Sequence, residues 1–119
     1  MSPFLQDISD NNGILIPRAL AKKFHVSLED FAIIIGLETN ILTINNLIKS
    51  VSTQTRLNDM AKIIDCITPW CVNTDQACEW YRIKAIPSFG DATAMDLVKQ
   101  NKGRAVLEYL ERINEGGFS

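Results

Sequence analysis

"TQTRLNDMAKIIDCITPWC", residues 53–71, decides the fold. Leu57, Met60, Ala61, Ile64 and Ile67 recur at steps of three and four, which places them on one face of an α-helix. Pro69 cannot continue the hydrogen-bond ladder and stops the run. The segment therefore reads as a long amphipathic helix, the central strut around which shorter elements pack.

Working outward toward the N-terminus, "KSVST" (49–53) is a polar connection, and Thr39 is placed to cap a helix carrying Ile41, Leu42, Ile44, Leu47 and Ile48. Before that, Ser27 and Asp30 form the two ends of a capping box. They open a helix with Leu28, Phe31, Ala32 and Ile35 on one stripe, which Gly36 breaks. Pro17 suits the first position of an earlier helix with Leu20, Ala21 and Phe24, ending near His25. "GILIP" (13–17) is a short extended piece, and "MSPFLQDISD" is an acidic, polar lead-in without the character of a signal sequence.

Toward the C-terminus, "VNTD" (72–75) opens a helix with Ala77, Trp80 and Tyr81, and "KAIPSFGD" (84–91) is a loop with Pro87 and Gly90 as turn residues. Thr93 and Asp96 cap a helix carrying Ala94, Leu97 and Val98. "QNKGR" leads to a last helix with Val106, Leu107, Leu110 and Ile113. No strand alternation, repeat or low-complexity tract interrupts this pattern. The expected class is all-α, a compact bundle of about seven short helices.

A chain of 119 residues fits one domain of ordinary size, roughly 100–150 residues, and 46% apolar against 22% charged residues is enough to form a core. The net charge of −2 is evenly spread, with six Lys/Arg and seven Asp/Glu in residues 1–68 and again in 69–119. Such a balance lacks the basic excess of a general nucleic-acid or anionic-membrane binder. The longest apolar run, "FAIII" (31–35), is far below the ~18 residues of a membrane span, so the expected location is the cytoplasm.

Cys66, Cys71 and Cys78 contain no CxxC pair and have no histidine nearby, so buried reduced thiols are expected and no metal site. The single histidine, His25, assembles no catalytic set, and no glycine-rich phosphate loop is present. No catalytic residue and no cofactor is expected. Trp70, Trp80 and Tyr81 read as core and platform residues. The apolar side chains of the 86–90 loop must be covered, either by their own fold or by a partner.

"LEDFAIIIGLETNILTINNL" (28–47) has the spacing of a helix-turn-helix with Gly36 at the turn. Asn40, Thr43, Asn46 and Lys49 would be its base- and phosphate-facing residues, although Lys49 is the only cation there. A stand-alone transcriptional regulator is thus one reading, and a helical pair that packs or dimerises is the other. The overlapping "GILIPRALAKKFHVSLEDFAIII" (13–35) is similar to the strand-helix-strand opening of AbrB-type regulators, against which the capping box at Ser27 argues for helix.

The second half carries motifs in a specific order: "TQTRL", "PWC", "ACEWYR", "IPSFGDATAMDLV" and "LEYLERINEGGFS". In that order they resemble the toxin-binding domain of the Xre/MbcA/ParS antitoxin family, and "FHVSLEDFAIIIGLETNIL" (24–42) resembles the Xre-type helical region that precedes it. The second glycine of the family's Pro-x-x-Gly-Gly pattern is Asp91 here. The resemblance implies a degenerate helix-turn-helix region over residues 1–50 and a toxin-binding domain over 51–119. It implies a type II antitoxin whose partner is a RES-domain toxin that consumes NAD, held in a complex where the antitoxin is a homo-oligomer such as a dimer. Repression of its own operon would make operator DNA a further partner.

On that resemblance the toxin-binding residues are Ile86, Pro87, Phe89, Gly90, Asp91, Thr93 and Leu97, together with the tail Gly116, Gly117, Phe118 and Ser119. The tail would leave the last helix through its two glycines and carry Phe118 into the mouth of the toxin's active site. The other course for Phe118 is to fold back onto Tyr109 or Leu110.

Overall fold

Ser2 and Pro3 begin a helix that the sequence pattern does not announce. In the computed structural model, which describes residues 2–116, the Ser2 hydroxyl accepts the Leu5 amide hydrogen and Pro3 takes the first helical position of α1 (Pro3–Asp7). The expected polar lead-in is therefore a one-turn helix. Phe4 and Ile8, four residues apart, are both buried and anchor it. The chain then loops over residues 10–14 and pairs Leu15 with Ser9 in an isolated bridge, the expected extended piece.

The next two helices follow their sequence signals. α2 (Pro17–Lys23) starts at Pro17, and α3 (Leu28–Ile35) starts where the Ser27 hydroxyl accepts the Asp30 amide hydrogen at 3.1 Å. Gly36 ends α3 in the left-handed region at φ 77°. "DFAIII" is thus helical, which removes the AbrB-like alternative. Phe24 and Phe31 pack with ring centres 5.9 Å apart, and Tyr81 meets Phe24 edge-on at 6.0 Å.

The helix expected from Thr39 to Ile48 does not form as one element. Residues Thr39–Leu42 make a 3-10 turn, and α4 spans only Asn45–Ile48. Of its apolar residues Leu42 alone is buried, while Ile44 and Leu47 face solvent. Without a stripe to bury, a helix of this length gains little from packing. The Thr43 hydroxyl also bonds the Asn40 carbonyl, the local competition that makes such residues poor helix interiors. A helix-turn-helix therefore lacks its second helix here.

α5 (Val51–Ile67) starts three residues earlier than the expected connection allows, because Ser50 is its cap. Leu57, Met60, Ala61, Ile63, Ile64 and Ile67 are buried along it. After a 3-10 turn at Thr68–Trp70 come α6 (Thr74–Ile83), a second such turn at Pro87–Phe89, α7 (Ala94–Lys99) and α8 (Gly103–Gly116). Asn73 and Thr93 cap α6 and α7.

α5 packs against α8, α6, α7, α4, α3 and α1, and the buried side chains from Phe4 to Leu110 form one cluster. The class is all-α, with eight helices among the described residues against seven expected. None of them is long and apolar enough to cross a membrane.

Two polar side chains tie the N-terminal stretch to α5, and a third, Asp59, meets α8. Gln54 donates to the Leu15 and Ile48 carbonyls and accepts the Leu15 amide hydrogen. Arg56 donates to the Gly36 carbonyl at 2.8 Å, placing a cation at the C-terminal end of α3, and to the Asn101 side chain at 2.6 Å. Asp59 lies against the start of α8, where burial pushes its carboxyl up and Lys62 and Arg104 pull it back.

Gly103 permits that approach. A Cβ there would sit 2.7 Å from the Asp59 Cβ, an atom fixed to the α5 backbone that cannot swing away. Although alanine is the better helix former by about 1 kcal/mol, Gly103→Ala should destabilise the protein by about 1–3 kcal/mol through overpacking. Urea unfolding checks this, and an unchanged or raised midpoint would contradict it.

Candidate protein-docking surface

Pro69 ends α5, and the chain reverses within a few residues. The Thr68 hydroxyl donates to the Ile64 carbonyl and the Cys71 amide donates to the Thr68 carbonyl, which turns Trp70 outward. Trp70 is 54% exposed and Val72 87%. The Gln76 side chain accepts the Val72 amide hydrogen, holding the connection over the first turn of α6.

α6 has two apolar stripes. Ala77, Cys78 and Tyr81 face inward and are buried, whereas Trp80 is half-buried and Ile83 is 66% exposed. Trp70 and Cys71 overhang this outer face and form a groove with Glu79, Trp80, Ile83 and Lys84. Of the three large aromatics expected as core and platform residues, Tyr81 is core, Trp80 is half-buried against it and Trp70 is exposed. One face of a helix can be given to α5, and no described element covers the other.

The expected toxin-binding residues separate into two groups. Ile86 and Leu97 are core, 2% and 3% exposed, so neither offers surface to a partner. Thr93 is occupied as the cap of α7, bonding the Asp96 amide at 3.0 Å. Phe89 is half-buried with its ring edge-on to Tyr109 at 5.7 Å. Pro87, Gly90 and Asp91 are exposed at the tip of the turn.

Gly90 and Asp91 both lie in the left-handed region, at φ 67° and 66°. The backbone there has the form that a glycine pair would adopt, and aspartate is among the few other residues that tolerate it. The Ile86–Ala92 bridge closes the turn. Gly116 is the last residue of α8, while Gly117, Phe118 and Ser119 lie outside the described residues.

Asn40, Thr43, Asn46 and Lys49 are exposed but distributed over a 3-10 turn, a one-turn helix and its cap. They do not share one face of a recognition helix. His25 is an exposed residue whose Nε2 lies 2.9 Å from an Asp75 carboxylate oxygen.

Trp70, Val72 and Ile83 were not among the expected site residues. Their signal in the sequence is the surplus of apolar residues on a short helix: Trp80 flanks the Ala77–Tyr81 face and Ile83, three residues on, lies further round, away from Tyr81. Comparison with protein-family models, with curated proteins and with solved structures gave no match.

The thiols differ from the expectation of burial: Cys78 is buried, while Cys66 and Cys71 are half-buried. Burial pushes all three up, Cys78 to about 12, and the Asn114 amide bonded to Cys66 partly offsets this. A disulfide exchange reagent at mildly alkaline pH should therefore modify Cys66 and Cys71 in the native protein and reach Cys78 only after denaturant is added. Three thiols reacting at one rate would contradict this arrangement.

Proposed function

We propose that the chain is the antitoxin of a type II toxin–antitoxin pair and inhibits a RES-domain, NAD-consuming toxin by steric occlusion. The observation that carries the reading is the uncovered groove at Trp70, Trp80 and Ile83. An exposed tryptophan beside a half-buried one, flanked by polar residues, is the composition of a protein-binding hot spot rather than of ordinary surface. The ordered motifs of residues 53–119 supply the kind of partner. An inhibitor of this type needs an anchoring patch and a plug, and no chemistry of its own.

In this reading the Trp70 groove is the anchor, the exposed Pro87, Gly90 and Asp91 offer a separate contact, and the tail Gly116–Ser119 is the plug. Ile86 and Leu97 act from within, holding the turn and α7 in place. A homo-oligomeric complex in the cytoplasm belongs to the same proposal. A stand-alone regulator finds less support, because the residues that would read DNA have no continuous helix to present them.

A RES-type reading frame adjoining this one would support the reading, and co-expression with its product tests it. The wild-type chain should restore growth and co-purify with the toxin. Combining Trp70→Ala with Ile83→Asp should lose at least about 2 kcal/mol of binding, abolishing rescue while leaving the melting temperature within a few degrees. Removing residues 116–119 should release toxicity yet keep the complex. A wild-type chain that neither binds the toxin nor restores growth ends the antitoxin reading.

A further inference from the structure

The chain carries a net charge of −2 that is evenly mixed along the sequence, but folding gathers several unpaired cations around α6. Arg18 and Lys22 stand one turn apart on the exposed side of α2, and Arg82 and Lys84 are exposed at the end of α6. A groove between α2 and the start of α6 is lined by Arg18, Lys22, Lys23, His25 and Asp75. A second groove shares Lys23, His25 and Asp75 and runs past Arg82 to Ile83. Glu79 and Ile83 also line the Trp70 groove, so the three make one continuous strip around α6.

Most carboxylates in the strip already have partners. Asp7 is paired with Lys23 at 3.0 Å, and Asp75 is held by His25 at 2.9 Å, leaving Glu79. Arg18, Lys22, Arg82 and Lys84 make no ion pair among the described residues. The strip is thus apolar and aromatic at one end, and along the rest its cations outnumber its carboxylates.

We propose that this strip docks an acidic amphipathic segment of a partner protein. Its apolar side chains would seat against Trp70, Trp80 and Ile83, and its carboxylates would face Arg82, Lys22 and Arg18. This rests on reading the Trp70 groove as a docking surface and does not require the partner to be a toxin. Charge complementarity selects the partner and speeds encounter, while the buried aromatic anchors supply most of the affinity. Asp75 and Glu79 interrupt the positive run, which suits separate carboxylates and opposes a continuous phosphate backbone.

The test uses the full chain labelled with nitrogen-15 and two synthetic helix-forming peptides. Both have Leu at every third or fourth position, one with Glu and the other with Lys at the remaining positions. The Glu peptide should shift the indole signals of Trp70 and Trp80 and the amides of residues 18–22 and 82–84, and should weaken as salt is raised. The Lys peptide should bind at least about tenfold more weakly. Combining Lys22→Glu with Arg82→Glu should reverse the preference without lowering the melting temperature.

Equal binding of the two peptides, or a preference unmoved by the charge reversal, overturns the proposal. So do concentration-dependent shifts of the same signals without peptide, which would assign the strip to a second copy of this chain. A chain that selects the Glu peptide but does not bind the RES-domain protein supports this inference while ending the antitoxin reading.

Discussion

The burial of α5 is the constraint on which the other elements depend. Apart from α8, every other described α-helix has ten residues or fewer. Isolated helices below roughly 12–15 residues are marginal in water. The short helices persist because Leu57, Met60, Ala61, Ile63, Ile64 and Ile67 give them a continuous apolar surface to cover. Gly103 shows how close this packing is, since α8 approaches α5 where a single added methyl group has no room.

The same constraint produces the candidate site. α6 must give Ala77, Cys78 and Tyr81 to the core, and the turn that feeds it is too short to fold Trp70 inward. Its outer face is left with Trp80 and Ile83. The inner commitment has a cost as well, because the Tyr81 hydroxyl is buried without a protein hydrogen-bond partner, a penalty of about 1–3 kcal/mol. The aromatic ring is worth this through its contact with Phe24 and its share of the core. Burial also raises the phenol well above its ordinary value, so the group stays neutral.

Much of the fold was legible because local signals and burial agree. The caps at Ser27, Asn73 and Thr93, the stop at Pro69 and the break at Gly36 all act as their chemistry suggests. α1 is not legible because three apolar residues, Phe4, Leu5 and Ile8, are too few to display a period. Residues 39–48 misled in the opposite way: their apolar spacing is helical, but burial decides whether such a pattern is used, and Ile44 and Leu47 have no neighbour to bury them. The site was the least legible part. Sequence alone does not say which apolar side of α6 is covered or how far a platform residue such as Trp70 is exposed, nor does it separate Ile86 and Leu97, expected at the toxin interface, from the core that both complete.

The central claim is that folding around α5 leaves the outer face of α6 as the surface on which a partner docks. Hydrogen–deuterium exchange on the chain, alone and with a candidate RES-domain protein, measures this directly. The account predicts added protection concentrated in residues 70–84 and 87–91, with α5 already among the slowest segments in the free protein. Protection confined to residues 39–49, with residues 70–91 unchanged by a partner that binds, would contradict it.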